Sequence, residues 1–408
     1  MFKKLSTMET WRRNMYVLWF GVFMSGIGFS SVMPFLPLYV DTLGDFSKSQ
    51  LTLYAGLVFS ITFLVTALVS PMWGKLADRK GRRLMLLRAS LGMAIVFALM
   101  GLVTNVWQLM VLRALQGFFG GFISNANAMV ATQTPKEKAG YALGTLVTGV
   151  TAGQLLGPFI GGAIASVVSY RASFFVTGSL LFASFLLVFF FVEEDFTPIA
   201  KGATPKLREV FKMVSSSQLT IDLFITTMII QAVNTSISPI VALFVRELTN
   251  NSSSSTFLAG IVAAMPGIAT MIAAPRFGVI GDRIGTHRMI FIGFLFAFAV
   301  FVPTTFVTSV TMLAVFRFLV GISDATMLPA VQTLLTKTTP HEITSRIFAY
   351  NQSFQSIGAV LGPLLGTVVA SIFDYRWIFL FSAILIALNA LLFWFNTKPI
   401  RNGSIKYQ

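Results

Sequence analysis

The chain has 408 residues, 55% of them hydrophobic and only 11% charged, with a formal net charge of +15 and no cysteine. Soluble domains carry roughly 25% charged residues, so this chain has too little polar surface to cover itself in water, and a water-soluble globular fold is excluded. Zero cysteines also exclude disulfides, thiolate catalysis and cysteine metal sites.

Uncharged apolar stretches of about 18 residues or more read as transmembrane helices. Twelve are predicted, beginning near Asn14, Thr52, Leu84, Val106, Gly140, Ala172, Leu219, Thr256, Arg288, Val310, Thr344 and Arg376. The expected fold class is an all-α membrane protein embedded in a lipid bilayer. The first run is too long for a signal-peptide core and no small-residue cleavage site follows it, so no cleaved leader is expected. Basic residues between the spans fall almost wholly on one side, with Lys48, Arg171, Arg246 and Arg376 the exceptions. That asymmetry is the positive-inside pattern. It places both termini in the cytoplasm and makes the basic charge topological, so no nucleic-acid partner is expected.

After the second span stands SPMWGKLADRKGRR (Ser70 to Arg83), and after the eighth stands APRFGVIGDRIGTHR (Ala274 to Arg288). The punctuation is part of a longer repeat. Pro71 and Pro275, Gly74 and Gly278, Asp78 and Asp282, and Arg113 and Arg317 each lie 204 positions apart. Pro34 and Pro239, Thr134 and Thr339, Gly157 and Gly362, and Pro158 and Pro363 lie 205 apart. The predicted domains are therefore two six-helix halves, residues 1–192 and 219–408, joined by a cytoplasmic linker over 193–218 with a short amphipathic helix around 206–213. Parallel repeats of this kind are a known transporter plan, with a site between the halves near the bilayer midplane. The Asn250 to Ser255 tract (NNSSSS) reads as a flexible polar loop.

These stretches resemble the signature motifs of the major facilitator superfamily. GKLADRKGRR is similar to its loop between the second and third helices, and GVIGDRIGTHR to the copy in the second half. GFSSVMPFLP, with Pro34 and Pro37 closing the first span, resembles the first-helix motif of the twelve-helix drug:proton antiporters. LRALQG, with Arg113 and Gly117, resembles the fourth-helix arginine motif. GQLLGPFIGG, with Gly153, Gly157, Pro158, Gly161 and Gly162, resembles the fifth-helix antiporter motif. The resemblance covers the whole chain. It implies a bacterial multidrug exporter in the cytoplasmic membrane that works by alternating access. Gly74, Asp78, Arg79, Gly81, Arg82, Arg83, Asp282 and Arg283 would form cytoplasmic latches between the halves. An importer, or an exporter of one metabolite, sugar or lipid, uses the same fold; the fifth-helix motif favours export.

Physical reading of the residues runs alongside. Glycines every fourth residue, at Gly149, Gly153, Gly157 and Gly161 and again at Gly358, Gly362 and Gly366, put small residues on one helix face and let helices pack backbone to backbone. Charges inside a span cost about 2.5–3.5 kcal/mol or more and point to function. Three lie deep: Arg113, Arg317 and Asp324, the last being the only carboxylate placed far inside a span. Arg317 and Asp324 share a helix face about 10 Å apart at 1.5 Å per residue, a separation suited to a bridged pair. A carboxylate in low dielectric can exchange between charged and neutral forms near neutral pH, so Asp324 is the candidate for proton coupling, with Arg113 and Arg317 its basic partners. Many drug exporters of the family carry an acid in the first helix; here Asp41 and Asp45 fall beyond its outer end.

Aromatic and methionine surface suits a promiscuous pocket for hydrophobic or cationic small molecules. Its candidate lining is Phe59, Phe63, Asn127, Gln154, Gln231, Asn234, Asn351, Gln352 and Gln355. Both histidines, His287 and His341, fall in loops and no Walker A loop is present. No enzyme activity, metal, cofactor or ATP coupling is expected, and a monomer is expected.

Overall fold

The structure, a computed structural model, describes residues 9–135, 138–196, 217–339 and 344–398, without the side chains of Asp78, Ala139, Pro275, Val279, Asp282, Thr344, Ser345, Arg346 and Ala349. The predicted amphipathic helix at 206–213 lies outside the described residues.

The first repeat contributes α1 (Thr10–Ser31), α2 (Leu36–Asp41), α3 (Lys48–Lys80), α4 (Arg82–Met100), α5 (Val106–Phe119), α6 (Phe122–Gln133), α7 (Ala139–Val167) and α8 (Tyr170–Phe191). The second contributes α9 (Ser217–Leu248), α10 (Ser255–Ile284), α11 (Thr286–Thr304), α12 (Val310–Thr338), α13 (Thr344–Ile372) and α14 (Trp377–Asn396). Each predicted span start lies close to a helix start. Among the described residues, 11 spans are long and apolar enough to cross a membrane. The predicted first span, α1, has the length, but Gly21, Ser25, Gly26, Gly28, Ser30 and Ser31 dilute its apolar character. It stops before Pro34, and Pro37 opens α2.

The 204-residue repeat is written into the hydrogen bonds. Asn105 caps α5 by accepting from Gln108 N (3.0 Å), and Ser309 caps α12 by accepting from Met312 N (3.2 Å); such caps satisfy donors that a helix start leaves unpaired. Gly81 and Gly285 precede α4 and α11 with φ of 88° and 97°, a left-handed turn open to glycine. One departure is large. The fourth span breaks between α5 and α6 at Gly120 and Gly121, the latter at φ 98°, whereas its counterpart α12 runs unbroken.

The chain divides into two compact units. One gathers the described residues within 1–45, 61–201 and 253–261; the other gathers those within 46–60, 202–252 and 262–408. In the first, Leu18, Val22, Phe122, Met129, Leu146 and Val188 form a buried core. In the second, Phe244 packs on Phe379 (6.0 Å between ring centres) and Phe294 on Phe393 (5.7 Å). Large apolar side chains such as Leu68, Val111, Phe190 and Phe395 stay exposed, as lipid-facing surface requires.

At the start of α3, within the second unit, Lys48 Nζ lies 2.8 Å from both Glu247 Oε2 and Asp374 Oδ1 and 4.4 Å from the Tyr375 ring centre. Burial alone would raise the Asp374 carboxyl. Hydrogen bonds from Lys48 and from Tyr375 N, with the charges of Lys48 and Arg376, hold it below its ordinary value instead. A carboxyl lowered in the folded state stabilises above its unfolded pKa, about 3.9, and loses that contribution as pH falls through the folded value. Lys48→Met is expected to lower the unfolding midpoint slightly at pH 7, by less than about 1 kcal/mol for such exposed pairs. The difference from wild type should shrink as pH falls below the unfolded value of about 3.9, as read by thermal melts in detergent.

Candidate functional site

The fourth-span arginine sits on α5. Arg113 is 1% exposed, and its Nη1 donates to Gln116 Oε1 at 2.6 Å, one turn on. The helix is held against α3 by two hydroxyls: Thr62 Oγ1 donates to Arg113 O (3.0 Å) and Thr66 Oγ1 to Gly117 O (3.1 Å). A Cβ on Gly117 would strike the Thr62 carbonyl. The second unit repeats the device 204 residues later, with Thr270 Oγ1 donating to Gly321 O (2.9 Å) and Gly321 pressed on Pro266 O. Arg317 occupies the place of Arg113.

Asp324 lies three residues beyond Gly321, nearly one turn on, and is buried with Arg317 in the second unit. Asn234 Nδ2 on α9 donates to Asp324 Oδ1 at 3.2 Å. One turn back on α9, Gln231 Oε1 accepts from Gln355 Nε2 of α13 at 3.4 Å. Nε and Nη1 of Arg317 have no hydrogen-bond partner among the described residues. Arg317 and Asp324 make no direct ion pair, which agrees with the bridged spacing. Four predicted residues (Gln231, Asn234, Asp324 and Gln355) thus converge on one polar seam between α9, α12 and α13.

Beside this seam the eleventh-span glycines meet the α9 backbone: a Cβ on Gly358, Gly362 or Gly366 would strike the carbonyls of Met228, Ala232 or Ser236. The fifth-span motif does the same in the first unit. Gly153, Gly157 and Gly161 lie on the carbonyls of Phe23, Ile27 and Ser31 in α1, and Ser30 Oγ reaches Gly153 O at 3.3 Å. Its counterpart is Thr235 Oγ1 to Gly358 O at 3.4 Å, 205 residues on. Gly162 faces Gly260 instead. Pro158 lies within α7.

The punctuation after the second span closes on its own unit. Glu194 Oε1 and Oε2 accept from the backbone N–H groups of Arg82 (2.8 Å) and Arg83 (2.7 Å), placing an anion at the start of α4. Arg83 in turn donates from Nε to Val192 O (2.7 Å) and from Nη2 to Phe189 O (2.8 Å), capping the end of α8. Arg82 Nη1 reaches Thr132 Oγ1 (3.2 Å). The second copy has Gly285 in the same turn, but Lys398 stands where Glu194 does, so the acid cap is lost. Arg79 and Arg283 are exposed. A Cβ on Gly74 would meet nothing within 4 Å among the described residues. Asp78 and Asp282 are side chains outside the description.

The other residues predicted to line a pocket fall in both units. Phe59 is 1% exposed and belongs to the core of its unit, because an aromatic at helix-packing spacing has the same sequence signal as one lining a cavity. Asn351 is likewise buried, its Oδ1 without a partner among the described residues. Gln154 and Gln352 are exposed. Phe63 meets Phe29 edge-on at 6.0 Å, and Asn127 has a buried Oδ1 without a partner among the described residues.

Asp324 is not the only buried carboxylate in a span. Asp222, five residues into α9, is 1% exposed and faces the Asn396 side chain. Arg88, within α4, is a third intramembrane arginine. Both lie near the ends of apolar runs, where a charge reads as flank.

The chain was compared with known proteins. A family model described as Major Facilitator Superfamily matches residues 18–249 and 223–406. The Multidrug resistance protein MdtG of Salmonella heidelberg (strain SL476) is 49% identical over 391 residues, covering 96% of this chain and 97% of that protein. MdtG of Salmonella arizonae is 49% identical over 384 residues, covering 94% and 95%. Among solved structures, a bacterial homolog to the human lysosomal transporter Spinster superposes with a TM-score of 0.77 at 15% identity, covering 96% of this chain and 98% of that one. The nucleoside transporter NupG superposes with a TM-score of 0.75, also at 15% identity, over 94% and 100%. With its repeated helices, paired intramembrane arginines and matching family model, the chain belongs to the major facilitator superfamily of membrane transporters.

Proposed function

We propose that the chain is a secondary active multidrug exporter. It would carry hydrophobic, often cationic small molecules out of a bacterial cell across the cytoplasmic membrane in exchange for protons, by alternating access between two halves at 1–192 and 219–408. Both termini and the 193–218 linker would lie in the cytoplasm, as the basic-residue asymmetry argues. The substrate class is supported by the multidrug resistance proteins that share 49% of their residues with it. The coupling reading rests on one observation, the buried Asp324 carboxylate hydrogen-bonded by Asn234 within a polar seam. A cation and a proton would compete for that carboxylate. Inward proton movement supplies about 2.3 kcal/mol per elementary charge per 100 mV. Asp78, Arg79, Arg82, Arg83, Asp282 and Arg283 would hold one state of the cycle.

The test is ethidium efflux from preloaded cells expressing the chain, with and without a protonophore. Efflux above an empty-vector control that collapses with protonophore is the expected result. Efflux that ignores the protonophore would remove proton coupling. Absence of efflux across a panel of cationic dyes would remove the multidrug reading.

A further inference from the structure

The break in the fourth span is held by a residue that none of the family motifs contains. Arg88 projects from α4 and lays its guanidinium over the Trp73 ring of α3, 3.7 Å from the ring centre. Its Nη2 donates to Gly120 O at 2.7 Å and to Phe119 O at 3.4 Å, and its Nη1 to Phe118 O at 3.4 Å. Trp73 Nε1 adds a donor to Phe118 O at 2.8 Å, with the two rings edge-on at 5.1 Å. Three successive carbonyls at the end of α5 are thereby satisfied by one planar fork and its aromatic backing. Irregular backbone at membrane depth persists only where protein or a wet cavity satisfies it, and here the Arg88 fork and the Trp73 indole do so. A cavity of about 240 Å³ opens beside the break, lined in part by Thr66, Trp73, Gly117, Gly120, Gly121 and Ser124.

The repeat shows that the fold itself does not demand the break. At 204 residues' offset, Ile292 stands for Arg88, Phe277 for Trp73, Asp324 for Gly120 and Ala325 for Gly121. The second unit thus has neither a guanidinium nor a glycine pair at these positions, and its α12 continues unbroken from Val310 to Thr338. One repeat puts a carboxylate at this depth; the other puts a jointed backbone there. Gly121 at φ 98° and Gly120 at ψ 178° are the joint, and glycine meets no steric barrier to other angles.

We propose that Arg88 is the positioning residue of a hinge in the fourth span. By clamping the Phe118 to Gly120 carbonyls onto Trp73 it fixes the angle between α5, which carries Arg113, and α6, which carries Asn127. Releasing it lets α6 swing about Gly120 and Gly121 and changes the cavity beside it. On the reading that the chain moves a solute, Arg88 then governs turnover and not affinity.

The chain has no cysteine, so Leu115→Cys with Ala131→Cys, both exposed and on either side of the joint, can be spin-labelled without background. Distances between the labels in the purified full-length protein are expected to show one dominant peak. Adding Arg88→Gln should bring in a second distance, with the ratio of the two states moved at least about tenfold, the scale of losing hydrogen bonds to a charged donor. Arg88→Lys, which keeps the charge without the fork, should fall between. An unchanged distance distribution in Arg88→Gln overturns the proposal. If that variant does not fold, Trp73→Phe, which loses the Nε1 donor, is read in the same way. In dye efflux the hinge predicts a Vmax reduced about tenfold, on the same scale, with KM little changed. A changed KM at wild-type Vmax would overturn it. The distance measurement needs no substrate, so it stands even if the exporter reading fails.

Discussion

Asp324→Asn is expected to abolish protonophore-sensitive dye efflux while leaving the protein folded and in the membrane. The substitution keeps the shape of the side chain, and its Oδ1 can still accept from Asn234 Nδ2, now 3.2 Å from the aspartate. What it removes is the ability to carry charge. Proton exchange through this residue would cease, and a cationic substrate would lose its counter-ion in a low-dielectric site where charge pairs are strongest. Residual efflux should fall more than about tenfold, corresponding to about 1.4 kcal/mol or more. Wild-type efflux in Asp324→Asn, at equal expression, would move the coupling elsewhere. The buried carboxylate of Asp222 is then the next residue to test, since it is the other acid buried within a described span.

Arg317 sharpens that prediction. Its Nε and Nη1 lack partners among the described residues, although Asp324 shares its helix and acts on it electrostatically. A permanent structural ion pair would bring the two into direct contact, because a buried unpaired charge is costly. The open geometry instead leaves a gap that water or a solute can bridge. In Asp324→Asn the guanidinium keeps its charge and loses its nearest counter-charge, so residual uncoupled transport should favour anionic over cationic solutes.

Much of this arrangement is legible in the sequence because it depends on local rules. Apolar runs place the spans. The four-residue spacing marks both glycine stripes, and the 204- and 205-residue offsets pair Arg113 with Arg317 and Gly157 and Pro158 with Gly362 and Pro363. Polar residues one turn apart, Gln231 and Asn234, mark the seam that meets Asp324. The less legible features are those in which one span completes another. Arg88 lies six residues inside α4 and looks like the tail of the basic cluster. Its meaning comes from carbonyls some 30 residues away in sequence, which no spacing rule connects. Asp222 is hidden in the same way at the start of α9. The Gly120–Gly121 pair does signal a joint, but hydropathy averages α5 and α6 into one span. Phe59 is ambiguous in the opposite direction, since burial against neighbours and exposure to a cavity call for the same residue type. Gly161 is more crowded than any stripe of small residues can reveal.

That crowding makes Gly161→Val the most damaging single substitution expected in the first unit. A Cβ there would strike the carbonyl oxygen, carbonyl carbon and Cα of Ser31. These are backbone atoms of α1 and have no rotamer into which to retreat. Overpacking a well-filled interior costs about 1–3 kcal/mol, and a backbone collision along a helix pair should reach or exceed the upper figure. The twin substitution Gly366→Val meets Ser236 in the same way and should be equally harmful, because the two positions are copies in the repeat. The expected result for each is a fall in unfolding temperature and in monodisperse yield from detergent. Gly74→Val is the control, with nothing within 4 Å of its Cβ, and should melt like wild type. If Gly161→Val melts like wild type too, then α1 and α7 do not pack through these glycines. If Gly74→Val keeps its stability but loses transport, the glycine serves a step of the cycle, as a latch requires, and not the packing of this structure.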